Sequence, residues 1–273
     1  MEWEKDVLIA ATNVPQLEGN DASFATLAAP IRQGNYQQIF KKQFLVSGTL
    51  EAVAKAGRAR EAARQTVKQM RELKNDMEYA IVRNAASTAG AAASARALAS
   101  MESWIATNET LATTTSSATT AGFASGTVAA PTDGTTTGAF SEGSLKTALG
   151  DAWTQGGDAR VILTGTSQKA AIDAFPGQAT RFVNVGQRQQ ATVIGSANVY
   201  VSSFGVHTVV LHRHVRSSVV LCIDPDYWAL AFLRNPFMEE LAKTGDGTKY
   251  HMVSEMTLVA RSEAASAKVV SCA

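Results

Sequence analysis

The most suggestive chemistry in these 273 residues is a pair of imidazoles two positions apart, His212 and His214, in the run GVHTVVLHRH. Residues two apart on a strand point to one side, so the pair could offer two nitrogens to a metal ion. His207 has the opposite parity, and His251 and Cys222 would have to arrive from elsewhere. A zinc site needs three or four converging ligands, so ordinary strand packing is the better reading and no metal is expected. Asp224-Pro225-Asp226 pairs two carboxylates, yet Asp-Pro more often opens a turn or a helix. Thr164 to Lys169 lacks the two-glycine spacing and Lys-Ser/Thr pair of a phosphate loop. TGDGTK lacks the alternating ligands and final Glu of a calcium loop, and reads as a hairpin turn. With no GxSxG, HExxH or GxGxxG either, the expectation is no catalytic residue, no cofactor and no enzyme.

Composition narrows the alternatives. Apolar residues make up 45% and charged residues 18%, which argues for a packed core rather than disorder. A net charge of +1 supplies no long-range field for nucleic acid or an anionic membrane, so any DNA contact must be local and non-specific. Two cysteines are too few for a disulfide scaffold. MEWEKDVLIAA is unlike a signal peptide, and no apolar run reaches spanning length, so no membrane partner is expected.

The elements come next. Residues 2–10 and 35–48 favour strands, with Tyr36, Phe40, Phe44 and Val46 on one face of the second. Between them lies a long connection, and a two-stranded arm of this kind needs a surface to lie on. Thr49 is a candidate N-cap with Glu51 in the first turn. From about 58 to 86 the apolar residues Ala63, Val67, Met70, Leu73, Met77 and Ala80/Ile81 predict one helix, roughly 42 Å long. Its other face carries Arg60, Arg64, Lys68, Arg71, Glu72, Lys74 and Glu78, with Lys68–Glu72 and Lys74–Glu78 at pairing distance. An alanine-rich stretch, helical near Trp104, leads into a Thr/Ser-rich loop over 106–138. SEGSLKTALGDAWTQGG predicts a helix capped by Ser141, striped by Leu145, Ala148, Leu149 and Trp153, and stopped at Gly156-Gly157. Strands follow at ARVILTG, ATVIGSANVYVSS, GVHTVVLHRH and SSVVLCI. A hairpin turned at Gly245-Asp246-Gly247 and a closing strand SAKVVSC end the chain. The class is α+β.

The order of these segments resembles the major capsid proteins of tailed bacteriophages. The family's N-Y-x-Q-I stands at Asn35 to Ile39, its V-S-G-T-x-E-A-V-x-K-A-G-R at Val46 to Arg58, and its E-L-K-x-D-M-E at Glu72 to Glu78. Its T-L-x-x-x-x-E-x-A pattern stands at Thr257 to Ala265. Members generally carry an arm ahead of their W-x-x-D-x-L segment, which here is Trp3 to Leu8. The resemblance implies a Hong Kong 97-type protomer: an extended β-hairpin loop (1–48), a peripheral domain with a long spine helix (49–140), a mixed α/β axial domain (141–228), and a return to the peripheral domain in antiparallel strands (229–273).

It further implies self-assembly, as hexamers and pentamers, into the icosahedral head around double-stranded DNA. Partners would be the portal and a scaffold or decoration protein, with synthesis in the host cytoplasm and a final place in the virion. Trp3, Tyr36, Phe40 and Phe44 are the candidate contacts with a neighbouring subunit. The basic face of the spine would meet DNA or neighbouring carboxylates. An encapsulin-like nanocompartment shell and a filament or surface-layer subunit are the alternatives.

Overall fold

The computed structural model describes residues 1–7, 11–21, 24, 26, 27, 29–54, 56, 57, 60–175 and 198–273. The expected strand positions at Ile9 and 191–197 and the helix start at Arg58 lie outside the described residues.

The described residues among the first 47 form three strands rather than one long hairpin. β1 (Glu2–Lys5) pairs antiparallel with β2 (Ile31–Gly34), Trp3 opposite Gln33. β3 (Gln38–Ser47) turns its even-numbered residues inward, burying Phe40 and Val46, and pairs with a strand near the end of the chain. A strand with one apolar face needs a core to cover it, and the adjacent arm offers none.

Ser47, not Thr49, caps α1 (Gly48–Ala52), its Oγ accepting from the Leu50 amide at 3.3 Å. Glu51 then caps the next helix: its Oε2 accepts from the Glu61 and Ala62 amides at 3.1 and 3.3 Å. Both amides belong to the first turn of α2 (Glu61–Val82), whose positive end favours a carboxylate. At 22 residues α2 is about 33 Å long, shorter than the predicted rod. Its apolar stripe also divides. Met70, Leu73, Met77, Ala80 and Ile81 reach the core, whereas Ala63 and Val67 are exposed. In the first turns Thr66 faces inward instead, donating to the Ala62 carbonyl at 2.9 Å.

The alanine-rich stretch is helical only over α3 (Met101–Trp104). Bridges between Thr88 and Ala97, and between Ala91 and Ser94, fold its earlier part back on itself. The Thr/Ser-rich stretch holds β4 (Glu109–Leu111) and a small hairpin of β5 (Phe123–Ala124) and β6 (Thr127–Val128). α4 (Glu142–Thr154) has the expected Ser141 cap, completed by Ser144 as a capping box. It buries Leu145, Ala148, Leu149 and Ala152, while Trp153, predicted in that stripe, is 61% exposed. Ala152 lies two turns from Leu145 and takes the inward place, which turns its neighbour Trp153 outward. Gly156 ends the helix at φ +84°, and at Gly157 an added Cβ would stand 2.1 Å from the Ala265 carbonyl oxygen.

The remaining helices and strands among the described residues are β7 (Val161–Thr164), α5 (Thr166–Asp173), β8 (Val199–Ser202), β9 (Gly205–Leu211), β10 (Val220–Ile223), β11 (Trp228–Leu241), β12 (Gly247–Ala260) and β13 (Ala267–Val270). They form two main sheets. A three-stranded antiparallel sheet, β11-β12-β3, contains the predicted terminal hairpin and carries α2. A six-stranded mixed sheet runs β4-β13-β10-β7-β9-β8. One of its faces packs Ile162, Val209, Val220 and Val269 against α4 and Ile172 of α5. Leu221, Ile223 and Val270 lie on the other face with Ile105. β13, expected among the peripheral strands, stands inside this sheet, antiparallel to β10 and parallel to β4. Its Ala267, Val269 and Val270 are apolar toward both faces, as a fully covered strand must be.

Leu73 is wholly buried between α2 and the three-stranded sheet. Leu73→Ala is expected to cost about 2–5 kcal/mol, measured by urea unfolding of the unassembled subunit.

Candidate assembly surfaces

Three of the four predicted contact aromatics are packed within the subunit's own core. Trp3 lies 5.5 Å from Trp104 between ring centres, and its Nε1 donates to the Ala260 carbonyl at 3.0 Å. Phe40, 6% exposed, belongs to the cluster of Leu73, Met77 and Met252. Phe44 stacks on Tyr250 at 5.0 Å. Tyr36 is half-buried, with its carbonyl accepting from Thr257 Oγ1 at 2.9 Å. The shared apolar face of β3, expected to meet a neighbour, is covered within the chain by α2. Phe40 in particular has no surface left to offer.

Other apolar groups face outward, at positions that no periodicity in the sequence singles out. Leu17, Phe24 and Leu27 lie between β1 and β2, Phe24 at 95% and Leu27 at 91% exposed. Along the free edge of the three-stranded sheet, Leu230, Phe232, Leu233, Phe237 and Met238 are also exposed. Register shifts flank Arg234 and Pro236 interrupts the donors, features that discourage pairing edge to edge. On α4, Trp153 makes a tilted contact with Phe204 at 6.1 Å on an open surface.

The predicted charged face of α2 is in the open. Arg60, Arg71 and Lys74 are exposed, with no ion pair among the described residues. Arg64 pairs with Glu61 at 2.6 Å and Lys68 with Glu72 at 3.7 Å. The expected Lys74–Glu78 pair is replaced: Glu78 Oε1 stands 2.8 Å from His212 Nε2, and Asn75 Oδ1 lies 2.8 Å from His214 Nε2. Two of the three histidines weighed as metal ligands therefore tie the turn after β9 to the helix. The third, His207, is buried between Ser202 Oγ and the Ala159 carbonyl, each at 2.7 Å. Asp224 caps the turn at Pro225 and also accepts from the Asp158 amide at 2.9 Å, a structural use of that carboxylate. Burial pushes the thiols of Cys222 and Cys272 up to about 12, which leaves them protonated and unreactive.

A second group of charges ties α3 and the connecting segments to the six-stranded sheet. Lys268, on β13, has 0% exposure. Its ammonium donates to the Glu102 carbonyl at 2.8 Å and to Thr120 Oγ1 at 2.5 Å, and lies 3.1 Å from Glu109. Burial lowers its pKa from the ordinary lysine value, and the Glu109 carboxylate opposes that shift. The Glu102 side chain, 1% exposed, is held by Arg216, whose other contacts are two oxygens of Asp133 at 2.5 and 2.7 Å. Burial works against the Arg216 charge, but the Asp133 and Glu102 carboxylates outweigh it and raise its pKa. A lysine between apolar neighbours in SAKVVSC was the one sequence signal of this junction.

Comparison with known proteins places this architecture. No curated protein matches the chain. Among solved structures it is similar over 100% of its length to 88% of a chain titled "Cyanophage A-1(L) capsid asymmetric unit", with TM-score 0.65 at 13% identity. It is similar over 99% of its length to 84% of a chain of Mycobacterium phage Bobi, with TM-score 0.61 at 9% identity. A holo-SrpI encapsulin complex from Synechococcus elongatus matches 90% of the chain with 77% of its own, with TM-score 0.54 at 10% identity. The fold is therefore of the Hong Kong 97-like type found in phage capsids. The chain belongs to the SU10 major capsid protein family, whose model matches residues 1–273. Membership carries a structural role: the subunit is a major capsid protein, a component of the virion that assembles with its own copies into a shell.

Arg216→Ala leaves the Glu102 carboxylate buried and without its guanidinium. The expected loss is about 3–5 kcal/mol, read as a lower denaturant midpoint. The hydrogen bond from Arg216 holds the Asp133 carboxyl below its ordinary value, against the opposing effect of burial. A depressed folded value gives stability that is complete above the unfolded carboxylate range, about pH 4, and is lost as pH falls through the folded value. Asp133→Asn should therefore flatten the decline of unfolding free energy below about pH 4, measured by denaturation across pH.

Proposed function

We propose that this subunit tiles the icosahedral head of a tailed phage, as hexamers and pentamers around double-stranded DNA. The observation that carries the proposal is the arm beyond β1 and β2. Four residue pairs tie it down at its root, and Leu17, Phe24 and Leu27 remain almost fully exposed. Apolar groups so exposed gain little in a monomer and become favourable when a neighbour covers them.

In this reading residues 1–34 are the extended loop. β3, β11, β12 and α2 form the peripheral part, with α2 as its spine. The six-stranded sheet, with α4, α5 and β13, forms the axial part. The pairing of β3 with β12 and of β13 with β10 supports these limits over a division at residues 48 and 229. Tyr36 and the outward apolar residues of β11 serve as contacts between subunits. The exposed cations of α2, Arg60, Arg71 and Lys74, together with Arg64, Lys68 and Glu72, face a neighbouring subunit or the packaged DNA. Portal and scaffold or decoration proteins complete the assembly, which begins in the host cytoplasm. A nanocompartment shell shares the fold, and the capsid family model favours the phage head.

Negative-stain microscopy of the expressed protein should reveal shells, tubes or hexamers. A chain that stays monomeric under every assembly condition, and is missing from virions by mass spectrometry, would exclude this reading. Replacing residues 11–30 with a short turn should leave the thermal midpoint of the free subunit within a few degrees, because the described part of this segment contributes nothing to the buried core clusters. The shortened chain should no longer form closed particles on size-exclusion chromatography.

A further inference from the structure

An open cleft of about 740 Å³ lies where α4 ends beside the turn between β8 and β9. Trp153 and Phe204 form its aromatic wall, with ring centres 6.1 Å apart. Trp153 is exposed, whereas Trp104 is buried and Trp3 and Trp228 are half-buried. An indole left in water at the mouth of a cleft forfeits a large burial gain, which a ligand would recover. The wall is held in place from behind. Gly150 of α4 makes room for the Phe204 ring, from which an added Cβ would stand 3.1 Å. Ser202 Oγ accepts from the Phe204 amide at 3.1 Å.

The other wall is electronegative. Gly156 and Gly157 line it just after the last turn of α4, and that turn holds no basic residue. The negative end of the helix dipole is therefore uncompensated by its own side chains and favours a cation. Asp158 and Arg160 stand beside it. Arg160 is shared among Asp226, Asp224 at 3.4 Å and Asp158 at 3.6 Å, so one guanidinium meets three carboxylates. The Asp158 and Asp226 side chains are more than half exposed and retain acceptor capacity for a further donor. The Asp158 amide donates to Asp224 at 2.9 Å, which fixes that residue in the wall. Val206 also lines the cleft, and its ladder partner Val201, on the edge strand β8, is exposed as well.

An aromatic face, a helix C-terminus and surplus carboxylates together recognise a cation. We propose that this cleft binds an arginine or lysine side chain of a partner polypeptide, whose flanking apolar residues cover Val206 and Val201. A free polyamine would leave both valines in water, whereas a peptide segment satisfies the charged and the apolar parts together. The surfaces proposed above for self-assembly lie on the arm, β11 and α2, none of which belongs to the six-stranded sheet, and this favours a different protein over a second copy. That choice of partner rests on the shell reading, and the chemistry of the cleft does not. The charged component of the contact weakens as salt rises.

Two dye-labelled peptides test the site: acetyl-Val-Arg-Val-amide, and the same peptide with citrulline, which keeps the shape of arginine without its charge. Binding to the unassembled subunit is followed by fluorescence anisotropy at low salt. The arginine peptide should saturate, and the citrulline peptide should bind about tenfold more weakly or worse. Trp153→Leu and Asp158→Asn should each weaken the arginine peptide by about threefold or more. Both side chains are exposed, so circular dichroism should be unchanged, and either variant tests the site should the other misfold. Absence of saturable binding, equal affinity for the two peptides, or undiminished binding by the variants overturns the site. Acrylamide quenching of Trp153 in particles of the chain alone, taken as the difference between unmodified and Trp153→Leu protein, separates a partner from a copy. Trp153 should stay accessible there. Shielding on assembly without peptide shows that a second copy fills the cleft, and overturns the choice of partner. If the chain forms no particles, the shell reading fails, no copy competes for the cleft, and peptide binding by the free subunit still decides the site.

Discussion

A lysine ammonium with no solvent exposure has to be compensated where it stands, and much of this subunit is arranged around Lys268. Its strand, β13, lies between β10 and β4, and the Cα partner of Lys268 in the parallel ladder with β4 is Glu109 itself. Register and ion pairing therefore enforce one another. A slip of one residue would turn the ammonium to the other face and separate it from Glu109. The Glu102 carbonyl and Thr120 hydroxyl complete its donors' needs, which draws α3 and the Thr/Ser-rich segment onto the sheet. Glu102 then passes the constraint through Arg216 to Asp133. Five charged side chains from distant positions thus fix one junction, in which Lys268 and Glu102 are fully buried and removal of the group that compensates either leaves a buried charge at a large penalty.

The same junction lies where the chain passes between the two sheets. β10 leads to β11 through the turn at Asp224, and β12 leads back to β13 through residues 261–266. Trp228 Nε1 and the Asp224 amide both donate to Ser266 Oγ, at 2.9 and 3.2 Å, so the outgoing and returning segments are held together. His212 and His214 add a separate tie from the six-stranded sheet to α2. Rigid internal connection contrasts with the open arm and the exposed sheet edge. For a shell tile that contrast has a physical basis: shape is set within the subunit, while apolar area is left for copies to cover. The fold persists in relatives at 13% identity or less, which indicates that many side-chain sets can meet the same packing constraint.

The sequence by itself determined those features whose cause is local. Alternation marked β3, the three-to-four spacing marked α2 over Met70 to Ile81, Ser141 and Gly156 marked the ends of α4, and GDG marked the last hairpin. The extended motifs at Asn35, Val46 and Glu72 carry the family resemblance in the sequence itself. Tertiary structure decided which apolar face met which partner. Phe40 and Trp3 were legible as apolar but not as internal, because burial depends on β12 and Trp104, more than 200 and about 100 residues away. Trp153 and Val67 satisfied a helical stripe yet remained exposed, because a stripe is buried only where another element covers it. Lys268, Glu102 and Arg216 lie far apart in sequence, and no spacing rule relates them. Periodicity is a property of neighbouring residues and can be read along the chain. Charge compensation is a property of positions in space, and only folding brought those residues together.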